Sequence, residues 1–120
     1  MPNMFKKVIA IFVLSAVLPL PEIQAATPEI VLEIRNHLFQ PDTIRIPANT
    51  KVKLVIFNRD PTPEEFESYE LNREKVIMGG RKAVVFIGPL AAGEYPFFGE
   101  FNPQTALGKV IVEDEQDASE

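Results

Sequence analysis

Five carboxylates stand close together in the segment FNRDPTPEEFESYELNREKVIMGG, and no basic residue lies between the first and the last of them. They are Asp60, Glu64, Glu65, Glu67 and Glu70. Carboxylate oxygens ligate hard and borderline metal ions, so cation binding is one chemistry that this segment could perform. The other interpretation is a solvated acidic loop that keeps an edge strand from aggregating, because runs of charge usually face solvent.

Short apolar runs between turn signals make up the rest of the chain, and none of them keeps a helical period. Alternation in EIVLEIR places Ile30, Leu32 and Ile34 on one face of a strand. The other predicted strands cover residues 43–46, 51–58, 82–88, 94–98 and 108–113. Short strands with regular turns favour an all-β protein, an antiparallel β-sandwich of about seven or eight strands.

The acidic segment itself can be read in two ways. Thr62, Pro63 and Glu65 have the arrangement of a helix N-terminus, with a capping residue, proline at the first position and glutamate three residues after the cap. A strand is the favoured interpretation, since alternation then points Phe66 into the core and both Glu65 and Glu67 outward on one face.

The apolar pattern also predicts which strands are central and which residues are buried. The strand over residues 51–58 is apolar on both faces near its end and is expected to be central, whereas Pro96 indicates an edge or a bend. Phe97, Phe98 and Phe101 are expected in the core, with one of them shielding a site. The residues predicted to be mostly buried are Ile30, Leu32, Ile34, Ile44, Leu54, Ile56, Phe86, Tyr95, Phe97 and Val110.

The N-terminal residues 1–25 have the pattern of a secretory signal peptide. Lys6 and Lys7 precede the apolar run VIAIFVLSAVL, and cleavage is predicted between Ala25 and Ala26. The alternative is an uncleaved anchor, but the run is short for a membrane span and prolines follow it. We therefore expect a signal peptide over residues 1–25, one domain over 26–113, a disordered acidic tail over 114–120, and no membrane span after cleavage.

Composition excludes several kinds of chemistry. The chain has 120 residues, a net charge of −5, one histidine and no cysteine. A negative protein is repelled by phosphate, so no nucleic-acid partner is expected. Without cysteine there is no thiolate nucleophile, thiolate metal ligand or lipoprotein anchor. Since no pair of catalytic groups can be assembled, we expect a binding protein and not an enzyme.

Two motifs resemble those of cupredoxin-like domains, in particular the EfeO-type branch associated with iron uptake. The first is F-x-P-x-x-I-x-I-P-A-N-T-K-V-K-L-V-I-F-N, followed by E-E-F-E-S, and the second is I-G-P-L-x-x-G-E-Y-P-F-F-G-E-F-N-P, followed by G-K-V-I-V. The resemblance spans roughly residues 30–113. It implies a Greek-key β-sandwich of the cupredoxin type, export to the periplasm and a copper or iron site.

The sequence departs from the blue-copper pattern, because a type 1 site needs a cysteine thiolate and two histidines. Where EfeO-type domains are thought to use cysteines, this chain has Phe39 and Gly99 or Glu100, and Glu65 matches the glutamate before the aromatic of that branch. The resemblance then implies that carboxylates replace the soft ligands. The candidate metal ligands are Glu65, Glu67, Glu100, His37 and Met78.

Such a site suits Cu(II) or Fe(II) better than Cu(I), and its affinity is expected to fall from about pH 6 downward as protons compete for the ligands. The resemblance implies a periplasmic protein that assists iron uptake, including as an electron carrier, with an inner-membrane iron permease or another periplasmic iron-uptake protein as partner. The alternative is a metal-free β-sandwich that docks through its acidic loop on a basic partner.

Overall fold

The computed structural model describes residues 8–21 and 26–114, and within these it contains nine strands and no helix. Two short strands, β2 and β6, were not expected from the sequence. The others lie where alternation placed them, and the all-β fold is confirmed. The strands are β1 Glu29–Arg35, β2 Leu38–Gln40, β3 Thr43–Pro47, β4 Val52–Asn58, β5 Glu64–Ser68, β6 Arg73–Ile77, β7 Lys82–Ile87, β8 Gly93–Gly99 and β9 Leu107–Glu113.

The strands form two sheets that pack as a Greek-key β-sandwich. One sheet has four strands in the order β2-β1-β4-β7, and the other has five in the order β3-β9-β8-β5-β6. Because the chain crosses repeatedly between sheets, β1 pairs with β4 in parallel and β3 pairs with β9 in parallel. The expectation of a purely antiparallel sandwich was therefore wrong in these two ladders.

Three phenylalanine rings join the two sheets in the core. Phe39 comes from the four-stranded sheet, and its ring packs edge-on against Phe97 at 5.0 Å and against Phe66 at 6.1 Å between centroids. The rings of Phe66 and Phe97 lie 4.9 Å apart. Edge-to-face packing of aromatic rings stabilises the fold beyond the free energy gained by burying their apolar surface. Because the Phe66 ring packs in this group, the face of β5 that carries Phe66 must point inward.

Strand β4 is interior, as its two-sided apolar pattern predicted, and it sets the register of β7. Val52, Leu54 and Ile56 are fully buried. Leu54 lies opposite Val85, so Val85 and its alternate neighbour Ile87 point inward. The prediction that Phe86 is buried was wrong, because this register places it on the outer face, 44% exposed.

Two further expectations about burial and strand position were only partly right. Ile30 and Tyr95 are half-buried and pack against the core. Strand β8 is interior and not an edge, since it lies between β9 and β5. However, β5 pairs with only the C-terminal end of β8, where Phe66 lies opposite Gly99 and Glu67 lies opposite Phe98. Pro96 lies before this paired segment, so its missing N–H interrupts no ladder hydrogen bond with β5.

The terminal expectations fall largely outside the described residues. Ala25 of the predicted cleavage site and residues 115–120 of the predicted tail are not among them, although Ala26 is. Residues 8–21 contain no regular secondary structure. No helix of the described part is long and apolar enough to span a membrane.

The core register leads to a paired test of stability. Phe66→Ala empties a fully buried position at the junction of the sheets and should reduce the free energy of unfolding by about 3–5 kcal/mol. Phe86→Ala removes an exposed ring, which the Lys51 ammonium approaches to 4.7 Å, and should cost less than about 1 kcal/mol. Urea unfolding of both variants measures the difference, and equal losses would contradict the register.

Candidate metal centre

Strand β5 is buried on both faces, which is unusual for a sequence with three glutamates in five residues. Glu64, Phe66 and Ser68 share the inner face, and Glu65 and Glu67 share the outer face. The structure confirms the strand and the burial of Phe66. The two outer glutamates do point away from the core, but they are only 7% and 9% exposed. They are therefore not the solvated carboxylates of an ordinary surface strand.

Neighbouring strands explain this burial. On the β6 side, Glu65 lies opposite Val76 and Glu67 lies opposite Glu74. On the β8 side, Glu67 lies opposite Phe98, whose ring contacts that of Tyr69 at 5.5 Å between centroids. Residues directly opposite in a ladder project from the same face. The carboxylates thus lie in a patch that is walled by Phe98 and Val76.

Glu100 enters the patch from the loop between β8 and β9. Its backbone N–H donates to the backbone carbonyl of Glu65 at 2.9 Å, which extends the β5–β8 pairing by one residue. Glu65, Glu67 and Glu100 each offer a carboxylate oxygen, and these oxygens lie within 4.8 Å of one another. We call these three residues the carboxylate cluster.

The carboxylate cluster has no cationic partner in the described part of the chain. The ion pairs there involve other carboxylates, and neither Glu74 nor any member of the cluster takes part in one. Glu67 Oε2 is buried and has no hydrogen-bond partner. A buried carboxylate oxygen without a donor is costly, and native structures rarely keep one without a bound group.

Burial and neighbouring negative charges favour the protonated form of one carboxyl group in the cluster. Burial raises the pKa of Glu65 to about 7, and a side-chain hydrogen bond with Glu74 and the negative charges of Glu100, Glu74 and Glu67 add to the effect. The ordinary value is 4.5. Near pH 7 the Glu65 carboxyl is therefore present in both its protonated and its ionised form.

Glu64 lies on the opposite face of β5 and is 1% exposed. Its Oε1 accepts from the backbone N–H of Phe101 at 2.9 Å and from that of Glu65 at 3.0 Å. Its Oε2 accepts from Asn102 Nδ2 at 2.6 Å. This carboxylate is satisfied by the loop that carries Glu100, so its role differs from that of its neighbour Glu65.

The remaining predicted site residues lie elsewhere. His37 is in the turn between β1 and β2, where its Nδ1 is 3.6 Å from Asp60 Oδ2, and it is not part of the carboxylate cluster. Asp60 accepts from the backbone N–H groups of Asn36 and His37, which both have positive φ. Met78 follows β6 and is exposed.

Of the other carboxylates in the acidic segment, Asp60 stabilises a turn and Glu70 is an exposed turn residue. Of the three phenylalanines expected in the core, Phe97 is buried, Phe98 is half-buried beside Glu67, and Phe101 is exposed. Phe98 is thus the ring that shields the carboxylates.

Sequence reasoning missed two contributors, Glu64 and Glu74. Glu74 could have been found by extending the strand into a hairpin, since the turn hydrogen bond from Asn72 N–H to the Tyr69 carbonyl sets Glu74 opposite Glu67. The burial of Glu64 has no signal in the sequence, because it depends on a loop far along the chain.

The donor set decides which metal ions fit. The cysteine and paired histidines of a type 1 copper site are missing from the sequence, and thiolate or thioether donors are what Cu(I) prefers. Metal–oxygen bonds of about 2.0–2.6 Å let one cation reach oxygens up to about 5 Å apart. The carboxylate cluster therefore fits a cation that accepts oxygen ligands, with Glu67 Oε2 gaining the partner it lacks.

The comparison with protein families identifies the class of protein. Residues 7–112 match the cupredoxin-like domain family, so the chain belongs to that family. The resemblance noted in the sequence is thereby confirmed at the level of the fold. An uncharacterized protein of Rickettsia prowazekii (strain Madrid E) is 42% identical over 86 residues, which cover 72% of this chain and 69% of the relative.

Solved structures with the same fold include copper proteins. A copper binding protein, solved by NMR in the apo form, is 26% identical, with a TM-score of 0.65 over 76% of this chain and 93% of that one. Auracyanin A, a blue copper protein of Chloroflexus aurantiacus, is 11% identical, with a TM-score of 0.64 over 73% of this chain and 100% of that one.

The metal binding domain of the Cu(I)-exporting ATPase CopA from Streptococcus pneumoniae, solved with Cu(I), is 15% identical. Its TM-score is 0.64 over 72% of this chain and 85% of that domain. The likeness to the auracyanin and to this domain concerns the fold, which is the one that copper-binding cupredoxins share.

The raised pKa of Glu65 predicts how stability depends on pH. The unfolded chain releases this proton near pH 4.5 and the folded protein near pH 7. The folded state binds more protons between these values, so rising pH destabilises it until the effect is complete above about pH 7. Glu65→Gln stays neutral, so it should raise the melting temperature of the metal-free protein clearly at pH 8 and little at pH 4.

Thermal unfolding in a chelating buffer at the two pH values measures this difference. Glu70→Gln, at an exposed turn position, is the matched control and should change the melting temperature equally at both. A Glu65→Gln effect independent of pH would contradict the proton assigned to Glu65.

Proposed function

We propose that the protein is a metal-binding member of the cupredoxin-like family whose site is the carboxylate cluster of Glu65, Glu67 and Glu100. The observation that carries this proposal is Glu67 Oε2, a buried oxygen without a donor that shares its patch with two more carboxylates. A cation bound there neutralises charges that no side chain of the described residues neutralises. On this proposal the protein is a binding protein and not an enzyme.

Cu(II) or Fe(II) is the proposed ion. Among divalent ions Cu(II) binds most tightly to a given set of nitrogen and oxygen ligands, which favours copper wherever it is available. The 26% identity to a copper binding protein of the same fold supports copper as well. The oxygen donors also suit ferrous iron, and iron follows from the resemblance to EfeO-type domains. Cu(I) is disfavoured because the cluster contains no sulfur.

The proposed setting is the periplasm of a bacterium. The signal-peptide pattern over residues 1–25 supports export. The EfeO-type resemblance supports a role in iron uptake, in which the protein delivers the ion or carries electrons to an inner-membrane iron permease or another periplasmic iron-uptake protein.

A metal-free function is the second candidate, and one observation favours it. With its pKa near 7, Glu65 lets the cluster relieve its own repulsion by keeping a proton. The patch could then serve as a docking surface for a basic partner, without any metal ion. Metal titration of the purified protein separates the two functions.

The direct test is calorimetric titration of Cu(II) and, without oxygen, of Fe(II) at pH 7.5. Glu65→Gln with Glu67→Gln preserves the shape of the patch and removes two ligands, so affinity should fall at least about tenfold per carboxylate, or about 1.4 kcal/mol each. The copper complex should be only faintly coloured, because there is no thiolate. Affinity should fall below about pH 7, since the ion displaces the Glu65 proton.

This onset is about one pH unit higher than the sequence alone suggested, because of the pKa of Glu65. Glu94→Gln with Glu70→Gln removes two exposed carboxylates outside the cluster and is the matched control. Equal affinity in wild type and the cluster variant would rule out this site. Absence of binding by all of them would favour the docking function.

Export is tested separately by expressing the full chain in a Gram-negative host and sequencing the N-terminus of the periplasmic fraction. The expected first residue is Ala26. Protein that remains in the cytoplasm and begins at Met1 would contradict the signal-peptide prediction.

A further inference from the structure

We infer that Glu64 is a positioning residue that holds Glu100 in the carboxylate cluster by fastening the loop between β8 and β9 to the core side of β5. This inference rests on the proposed function for its metal-binding consequence. It assigns to Glu64 a role that is separate from ligation, because its carboxylate lies on the face of the strand opposite to the cluster.

The hydrogen bonds of Glu64 converge on the residues that directly follow Glu100. Phe101 N–H and Asn102 Nδ2 both donate to its carboxylate, at 2.9 and 2.6 Å. A charge-assisted bond of this kind is stronger than one between neutral groups. Glu100 itself is held through its backbone N–H by the Glu65 carbonyl at 2.9 Å. The loop is therefore fastened to β5 through both the backbone and a side chain of the strand.

Gly99 makes this arrangement sterically possible. A Cβ at this position would stand 2.7 Å from Glu64 Cδ and 2.6 Å from Ala106 Cβ, so no other residue fits without displacing the carboxylate. The loop then closes on itself: Gly99 N–H donates to the Ala106 carbonyl at 2.8 Å and Ala106 N–H donates to the Asn102 carbonyl at 2.9 Å. A loop closed in this way moves as a unit when its attachment to Glu64 is lost.

Because Glu64 is buried, its role depends on the hydrogen-bonding groups of its side chain as well as on the size of that side chain. Glu64 is only 1% exposed, so water cannot replace the loop as the partner of its carboxylate unless the loop moves. Glu64→Leu keeps a side chain of similar size and removes both acceptor oxygens, so the Phe101 N–H and the Asn102 amide lose their partner and the loop should detach. Glu64→Gln keeps one acceptor oxygen and adds a donor that the side-chain oxygen of a rotated Asn102 can accept, so it should keep the loop attached.

The first measurement is amide hydrogen exchange of the metal-free protein, followed by NMR. Glu64→Leu should accelerate exchange at Phe101 by about 10- to 100-fold, the range expected for losing a hydrogen bond to a charged group. Glu64→Gln, which keeps an acceptor for the Phe101 N–H, should retain most of the protection. Ser68→Ala is the control: it removes a buried inner-face group of β5 that bonds the Pro96 carbonyl and the Leu71 N–H, and it should leave Phe101 unchanged.

The second measurement is a double-mutant cycle of Cu(II) affinity with Glu64→Leu and Glu100→Gln. If Glu64 acts through Glu100, each single change weakens binding and the double variant binds no more weakly than Glu100→Gln alone. Ser68→Ala should leave affinity unchanged. Additive losses, or an equal loss in Ser68→Ala, would overturn the positioning role.

The two measurements keep this inference distinct from the proposed function. If the wild-type protein binds neither Cu(II) nor Fe(II), the proposed metal site fails, and the exchange data alone decide whether Glu64 fastens the loop. If the wild type binds Cu(II) but Phe101 is unaffected by Glu64→Leu, the metal site stands and the inference about Glu64 is wrong.

Discussion

The burial of β5 on both faces is the constraint on which the site depends. The inner face inserts Phe66 between the two sheets, where it contacts the rings of Phe39 and Phe97. This contact fixes the strand's rotation, so Glu65 and Glu67 must occupy the outer face. The neighbouring strands then cover that face with Phe98 and Val76. Apolar packing at the core thus forces carboxylates together in a partly dehydrated patch.

Like charges in such a patch repel one another, and the protein supplies no cationic side chain from its described residues to offset them. Glu67 lies directly opposite Glu74, an arrangement that destabilises a strand pair when both groups are charged. Burial foremost, together with this repulsion, raises the pKa of Glu65, and a proton on its carboxyl relieves both. On the proposed function, a metal ion would relieve the repulsion through the same oxygens and would therefore compete with that proton.

The fold holds this patch through two strands and through the hydrogen bonds of one loop. Glu65 and Glu67 lie on an interior strand, and Glu100 follows the end of another strand directly. Hydrogen bonds to the Glu65 carbonyl and to the Glu64 carboxylate hold the loop from two sides. Cupredoxin-like neighbours of the same fold include proteins that bind copper. Here the cluster offers oxygen donors only, which shifts its preference towards harder ions.

The sequence by itself determined seven of the nine strands of the described residues, the sandwich and the common face of Glu65 and Glu67, because alternation has a period of two and fixes which residues share a face. The resemblance to cupredoxin-like domains placed Glu100 near the same end. In the strand KAVVFI, alternation left open whether the set of residues that includes Phe86 or the other set points inward. The prediction that Phe86 is buried was therefore wrong, and only the pairing with β4 decided which set is buried.

Only the tertiary structure decided the burial and the partners of the carboxylates. Glu64 and Glu65 are adjacent and identical in type, yet one is bonded to a loop and the other faces three carboxylates. His37 was a candidate ligand on the basis of residue type, but the structure places it against Asp60. These outcomes depend on contacts between residues far apart in the chain. Local sequence patterns do not contain them, because desolvation and repulsion arise only when the strands assemble.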